Sequence, residues 1–251
     1  DDANDAVEWM PICNGTLPKP RNYFPPVAAP KGFYLSTEDT LHFLDVTLGT
    51  MTEMPWKKPS CTEYKLYFFN NKMFALGGVD DAGNISPCVQ SLNVNRRNGD
   101  WETQAPMLQA LKKPYATQFA NKLYVFGGET DDGGHSKASM VYDPLRKMWK
   151  GLSDMPDVCR GGDVVSLNEK IYIVGGYEKV CFSYTPSRDE WTVLSQPRNR
   201  TGDNPATAWK GKILLISYAA CEEYDPEKNA WTPRKGLDKE GLGVWIKTFF
   251  Y

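Results

Sequence analysis

Residues 121–128 read NKLYVFGG, residues 169–176 read EKIYIVGG and residues 71–78 read NKMFALGG. The three segments follow one another at intervals of about 50 residues, and each joins a short apolar run to a pair of glycines. A fixed period of this length is typical of proteins built from repeated structural units. Residues 31–35 and 212–216 begin in the same way but lack the glycine pair. The chain therefore contains five copies of one unit.

A second pattern follows the apolar run. It consists of a tyrosine, a turn that contains proline, and a tryptophan. The clear copies are Tyr142, Pro144 and Trp149; Tyr184, Pro186 and Trp191; and Tyr224, Pro226 and Trp231. Proline fixes φ and favours a turn, so the tyrosine and the tryptophan are expected on two antiparallel strands of one hairpin. With an upstream strand and the glycine strand, each repeat is predicted to be a sheet of four short strands.

A single small sheet cannot bury both of its faces, so neighbouring sheets must stack on one another. Radial stacking of this kind defines a β-propeller, which leaves only short strand edges exposed. The tryptophans are expected to fill the space between neighbouring blades. A solenoid is the competing architecture, but it would require helices or shorter repeats, and the alternating Val, Ile and Tyr residues favour sheet.

The order of glycine pair, loop, Tyr-Asp-Pro, Trp and Met-Pro resembles the kelch repeat, and it recurs over residues 21–237. The resemblance implies an all-β, kelch-type propeller that occupies residues 1–251 as a single domain. The five repeats are predicted at residues 21–57, 58–107, 108–156, 157–197 and 198–237. Residues 1–12 resemble the outer end of a repeat and residues 238–251 the inner beginning of one, so together they predict a sixth, closing blade; a five-bladed ring is the alternative.

The composition excludes several classes of function. The 251 residues carry 29 Lys and Arg against 31 Asp and Glu. A net charge near zero provides no field for nucleic acid or an anionic membrane, so neither is expected as a partner. No apolar run reaches the roughly 18–20 residues that a membrane span needs.

Catalysis is not expected. A kelch-type propeller can carry a copper radical site, as galactose oxidase does, but that chemistry needs two converging histidines, and this chain has only His42 and His135, in different settings. No phosphate-binding loop, HExxH motif or nucleophile elbow is present, so we predict no enzyme activity and no cofactor.

The six cysteines are widely spaced, which argues against both a zinc site and a disulfide scaffold and favours a reducing compartment. Cys181 and Cys221 each precede a repeat tyrosine by three residues and are expected to be small buried side chains. Cys159 lies beside Arg160 in a loop, where a cation would lower the thiol pKa, so a reactive thiol is an alternative there.

The loops that leave the glycine strand and the loops that join two blades should emerge on one rim around the central channel. Cations recur at the blade junctions, as at Lys113, Arg160 and Arg200, whereas Asp80 and Glu129 follow glycine pairs. The rim is therefore expected to carry both signs of charge, and its ligand is expected to be a protein or a peptide.

Residues 197–202 resemble the segment with which the oxidative-stress sensor of the BTB-kelch family holds an acidic peptide. The resemblance implies that Arg160 and Arg200 bind carboxylates, that Asn199 binds peptide amides and that Tyr177 covers apolar ligand atoms. The full set of candidate partner-binding residues is Arg160, Tyr177, Asn199, Arg200, Lys113, Tyr218, Glu129 and Asp80.

The same resemblance implies the substrate-recognition domain of a BTB-kelch adaptor. In such a protein a BTB domain outside this chain engages Cullin-3 and directs the bound protein to ubiquitylation. The expected location is the cytoplasm, with the nucleus as a further compartment. The alternative is a cytoskeletal or scaffold protein that binds actin or another structural partner without ubiquitylation. Fold alone does not choose between these functions.

Overall fold

The computed structural model describes residues 26–37, 39–96, 99–200, 202, 205–216 and 221–234. These residues form five antiparallel sheets of four strands, here called blades 1 to 5 in chain order. Blade 1 contains β1 (Val27–Ala29), β2 (Gly32–Ser36), β3 (Leu41–Asp45) and β4 (Thr50–Met54). Blade 2 contains β5 (Lys65–Phe69), β6 (Lys72–Leu76), β7 (Val89–Leu92) and β8 (Trp101–Thr103).

The other three blades repeat this order. Blade 3 contains β9 (Tyr115–Phe119), β10 (Lys122–Phe126), β11 (Ser139–Asp143) and β12 (Met148–Leu152). Blade 4 contains β13 (Gly162–Leu167), β14 (Lys170–Gly175), β15 (Val180–Thr185) and β16 (Glu190–Val193). Blade 5 contains β17 (Ala206–Trp209), β18 (Lys212–Ile216), β19 (Cys221–Asp225) and β20 (Ala230–Arg234). The described part of the chain contains no helix that is long and apolar enough to cross a membrane.

In every blade the strands pair in chain order, and the first strands of successive blades contact one another from β1 through β5, β9 and β13 to β17. These first strands surround the channel, so the architecture is the predicted β-propeller. The structure describes five blades, the number that the sequence offered as the alternative. The predicted closing blade, residues 1–12 with 238–251, lies outside the described residues.

The predicted tyrosine and tryptophan hairpins are confirmed. Tyr142 pairs with Trp149 across β11 and β12, and the ring centroids are 5.2 Å apart. The Trp149 indole also donates a hydrogen bond of 2.8 Å to the carbonyl of Ala105, which follows the last strand of blade 2. Each tryptophan thus fills apolar volume and ties its blade to the preceding one. The same indole bond recurs for Trp101, Trp191 and Trp231, with the carbonyls of Lys57, Ser153 and Ser195 as acceptors.

The apolar core lies between neighbouring blades rather than at one centre. One cluster joins blades 2 and 3 through side chains such as Leu76 and Val125, and another joins blades 4 and 5 through Val174 and Leu215. All four of these side chains are fully buried. Burying one such side chain contributes about 1.5–3 kcal/mol, so the stacked blades hold the ring and its loops in place.

Candidate functional site

The two kinds of loop predicted to share one rim are hydrogen-bonded to each other. In blade 3, the backbone of Lys112, which lies in the loop before β9, exchanges two hydrogen bonds of 3.0 and 2.8 Å with Glu129, which follows the glycine pair. In blade 4, the Tyr177 N–H donates to the carbonyl of Arg160 at 2.9 Å. The rim, defined as these two sets of loops, is therefore a backbone-bonded surface at one end of the propeller.

The rim surrounds the mouth of the central channel. The channel has a cavity volume of about 690 Å³, and first-strand residues of all five blades line it. The charged residues that line the cavity and lie in the rim loops are Glu63, Lys113, Glu129 and Arg160. The chemistry available to a ligand at this end of the propeller consequently depends on which of these charges are already paired.

Lys113 and Glu129, both predicted site residues, belong to a cluster of two cations and two carboxylates. Lys113 Nζ lies 3.1 Å from Glu63 Oε2, and Lys112 Nζ lies 2.9 Å from Glu129 Oε2 and 3.2 Å from Glu63 Oε2. The hydrogen bond to Glu129 raises the pKa of Lys112. Burial would raise the pKa of Glu63, but the bonds from Lys113 and Lys112 outweigh it and lower that pKa. The cluster is internally neutral.

The acidic loops use carboxylates to hold their own backbone. Asp80 Oδ1 accepts hydrogen bonds from the backbone N–H groups of Ala82 and Asn84 at 3.0 and 2.9 Å. Asp131 Oδ1 accepts a bond of 2.9 Å from the Ile85 N–H and so joins the β6–β7 loop to the β10–β11 loop. Asp80 therefore stabilises a turn, a role that its position in the sequence did not indicate.

Arg160 is paired within its own blade. Its guanidinium Nε forms an ion pair with Glu178, and its backbone N–H donates a bond of 2.9 Å to the other Glu178 oxygen. Burial would raise the pKa of Glu178, but the bonds from Arg160 outweigh it and lower that pKa. The arginine side chain remains 52% exposed whereas Glu178 is 18% exposed, so Arg160 presents one face to solvent while its carboxylate partner orients it.

Residues 198–200 form an exposed basic part of the rim. The backbone N–H groups of Arg198 and Asn199 donate hydrogen bonds of 3.0 and 3.2 Å to the carboxylate of Glu222. Glu222 is only 2% exposed, so it acts as a buried anchor for the segment. Arg198, Asn199 and Arg200 are all exposed. In the described part of the chain neither arginine forms an ion pair.

Tyr177 and Lys179 extend this exposed surface. Tyr177 is 53% exposed, and its hydroxyl end packs against Gly202, where an added Cβ would approach the phenol oxygen to 2.7 Å. Lys179 Nζ donates a hydrogen bond of 3.1 Å to the Arg198 carbonyl. We call Tyr177, Lys179 and residues 198–200 the basic segment. It combines an aromatic ring, an amide and cations, and Glu222 fixes the backbone of its residues 198 and 199.

The structure brings some of the predicted site residues together and separates others. Tyr177, Asn199 and Arg200 lie together in the basic segment, and Arg160 precedes the neighbouring β13. Lys113 and Glu129 lie at the junction of blades 2 and 3, and Asp80 lies in the β6–β7 loop. Tyr218 lies outside the described residues.

The carboxylates that position the rim were missed by the sequence reasoning. Glu63, Glu178 and Glu222 orient the cations or the backbone of the rim. Glu222 lies inside β19 and Glu63 in an inter-blade loop, so neither follows a glycine pair. Of these three carboxylates, only Glu178 could have been found from the sequence, because it directly follows the aromatic residue after the third glycine pair.

Cys159 is a buried structural residue. Its side chain is 2% exposed, and burial raises its pKa to about 12. The Tyr115 hydroxyl donates a hydrogen bond of 3.0 Å to the Cys159 carbonyl. A thiolate is the reactive form of cysteine, so these features argue against the reactive alternative considered for this residue. Cys181 and Cys221 are also buried, as predicted.

Comparison with known proteins identifies relatives of the chain. Kelch-like protein 35 of Mus musculus is 26% identical over 153 residues, which cover 61% of this chain and 26% of that protein. Kelch-like protein 38 of Rattus norvegicus is 26% identical over 181 residues, which cover 66% and 30%. Kelch repeat and BTB domain-containing protein 8 of Xenopus tropicalis is 30% identical over 187 residues, which cover 68% and 30%. No protein-family model matches the chain.

A solved structure shares the fold. The structure titled "Structure of YjhT" superposes with a TM-score of 0.72 over 86% of this chain and 85% of that chain, at 12% identity. This likeness supports the architecture alone. The chain spans less than a third of the length of the curated relatives it matches.

Four-stranded blades around a channel define the protein as a β-propeller. The repeated glycine pairs, the Tyr–Trp hairpins and the relatives together indicate which type of β-propeller this is. The chain is a kelch-repeat propeller, homologous to the kelch-like and kelch-repeat BTB proteins.

Proposed function

We propose that this propeller is a protein-recognition domain that binds an acidic segment of a partner protein at the basic segment. The observation that carries the proposal is the buried Glu222 carboxylate, which fixes the backbone of Arg198 and Asn199 while their side chains, Arg200 and Tyr177 remain exposed. A preorganised backbone reduces the entropy lost on binding. Arginine binds carboxylates with two parallel hydrogen bonds, and exposed tyrosine and arginine are enriched among the residues that dominate interface energetics.

We further propose that the domain selects substrates for a BTB-kelch adaptor of a Cullin-3 ubiquitin ligase. Support comes from the relatives, among which a kelch repeat and BTB domain-containing protein matches 68% of this chain. A BTB domain would lie in the longer protein, outside these 251 residues, and would bring the bound target to ubiquitylation. A cytoplasmic location is part of the same proposal, because the described cysteines are free thiols, as is usual in a reducing compartment.

The test compares two double variants of the 251-residue chain in pull-downs from cytosolic lysate, read by mass spectrometry. Arg198→Ala/Arg200→Ala removes the exposed cations of the basic segment. Arg146→Ala/Arg188→Ala is the matched control, because both of its arginines lie in exposed hairpin turns at the opposite end of the blades. Truncating one buried arginine anchor at an interface costs about 2 kcal/mol, which is roughly a thirtyfold loss of affinity.

We expect specific partners to be lost with the first variant and kept with the control. Partners kept by both variants would refute recognition at the basic segment. The ligase role requires a separate measurement on the full-length protein, in which depletion of Cullin-3 should abolish ubiquitylation of the captured target. Binding through the basic segment without any Cullin-3 dependence would replace the adaptor role with a scaffold role.

A further inference from the structure

Two cysteines of blade 2 lie side by side although 26 residues separate them in the chain. Cys61 lies in the loop between β4 and β5, and Cys88 directly precedes β7. The loop is fastened to β7 by Ser60, whose backbone N–H and hydroxyl both donate to Gln90 Oε1, at 2.8 and 3.0 Å. Ser60 Oγ is also 3.9 Å from the Cys88 sulfur. These bonds hold the Cys61 segment against the start of β7.

The Cys88 thiol lies close enough to the Cys61 thiol to affect its ionisation. Cys61 is only 6% exposed, whereas Cys88 is partly exposed and is accessible to a small solute. Burial raises the pKa of Cys61, and the neighbouring Cys88 raises it further. The pair thus combines an accessible thiol with a protected one.

The backbone around the pair is fixed. The Gly77 N–H donates a hydrogen bond of 2.8 Å to the Cys88 carbonyl, and Thr62 exchanges bonds of 2.8 and 2.7 Å with Val79. A disulfide forms only where the two backbones lie close together, and the contact of Ser60, the neighbour of Cys61, with the Cys88 sulfur brings the two segments together.

We propose that Cys61 and Cys88 form a redox pair that a hydroperoxide closes to a disulfide. The Cys88 sulfur attacks the peroxide, the O–O bond breaks, and the products are Cys88 sulfenic acid and water. The Cys61 sulfur then attacks the Cys88 sulfur, and the S–O bond breaks to release a second water that carries the Cys61 proton. Two thiols are oxidised and one hydrogen peroxide is reduced to two waters.

The disulfide would act on the rim through Glu63. Cys61 precedes Glu63 by two residues, and Glu63 holds Lys112 and Lys113 at 3.2 and 3.1 Å. Closing the bond would tie the loop that carries Glu63 covalently to the start of β7. Oxidation would therefore restrict the movement of the rim loop between blades 2 and 3 and leave the backbone anchored by Glu222 unchanged.

The experiment treats the folded 251-residue chain with hydrogen peroxide, blocks remaining thiols with iodoacetamide and maps tryptic peptides without reduction. Cleavage at Lys and Arg places Cys61 in residues 58–65 and Cys88 in residues 73–96. We expect these two peptides to become joined with loss of two hydrogens, and dithiothreitol to separate them again. The buried Cys181 is the internal control and should remain a reduced cysteine under the same conditions.

A Cys88→Ser variant should lose the cross-link and leave residues 58–65 with an unlinked cysteine after the same treatment. If the Cys88→Ser variant fails to fold, the peptide map of the unaltered chain decides the question alone. Recovery of the two peptides unlinked, either alkylated or oxidised to sulfinic acid, would overturn the proposal. Linkage of either cysteine to Cys13 in place of the other would overturn it as well.

Discussion

Replacing Gly77 with alanine tests whether close backbone approach between blades makes the glycine pair necessary. Gly77 has φ of +63°, a conformation that favours glycine. A Cβ at this position would lie 2.0 Å from the carbonyl oxygen of Leu111, which belongs to the segment leading into blade 3. That oxygen also accepts a hydrogen bond of 3.0 Å from the Gly78 N–H. Either the carbonyl or the glycine turn must therefore move.

The cost follows from these contacts. A non-glycine residue in the left-handed region loses about 1–2 kcal/mol. Displacing the buried Leu111 carbonyl leaves a polar group without its partner, which costs about 1–3 kcal/mol more. Gly83 provides a matched control, because its φ is +84° but a Cβ there would meet nothing within 4 Å. We therefore expect Gly77→Ala to destabilise the fold by about 2 kcal/mol more than Gly83→Ala.

Urea unfolding followed by tryptophan fluorescence and circular dichroism measures the difference. In a chain of this size 2 kcal/mol corresponds to a melting temperature about 4–8 °C lower. Equal losses for Gly77→Ala and Gly83→Ala would show that conformational strain alone explains the glycine pair, and would refute the argument from close approach. A larger loss for Gly83→Ala would contradict the loop geometry itself.

Two further substitutions test the polar contacts. Burial would raise the pKa of Asp189, but the hydrogen bond from Tyr184 and the bonds from Ser153 outweigh it and lower that pKa. The stabilising contribution of Asp189 is therefore present above about pH 4 and is lost as pH falls through the pKa of the folded state. Asp189→Asn, which reproduces Asn229 of blade 5, should weaken the decline in unfolding free energy between pH 5 and pH 3; an unchanged decline would show that Asp189 does not contribute to it. Glu222→Gln places an amide donor against a rim N–H and should lower the free energy of unfolding by about 1–3 kcal/mol, measured by denaturation. The same variant should weaken binding at the basic segment, measured by pull-down. If the exposed Glu227→Gln had equal effects, the anchor role of Glu222 would be contradicted.

Much of the fold could be predicted because the determining signals are local and repeated. The apolar run that ends in Gly127 and Gly128 specifies one strand and its turn, and the pairing of Tyr142 with Trp149 specifies a hairpin. Both signals recur along the chain at the same spacing, so each further repeat supports the strand and hairpin predicted from the first. The position of the rim could also be predicted from the sequence, because the order of the strands determines at which end of the propeller each loop emerges.

The state of each charged residue could not be predicted in the same way. Arg160 and Lys113 were assigned to ligand binding, but both contact carboxylates of the protein, Glu178 and Glu63. Asp80 was assigned to the rim surface, but it accepts hydrogen bonds from its own turn. A charged residue in a loop looks alike in the sequence whether its partner is the protein itself or a ligand.

The sequence by itself determined that this protein is a propeller of kelch repeats with a loop rim at one end. Strand formation, tight turns and aromatic pairing depend on residues close together in the chain, so they can be predicted from the sequence pattern alone. Only the tertiary structure decided that Glu222 anchors the backbone of Arg198 and Asn199 and that the loop of Cys61 packs against Cys88. These contacts join residues more than 20 positions apart, and their distances depend on how the loops pack once the blades have stacked.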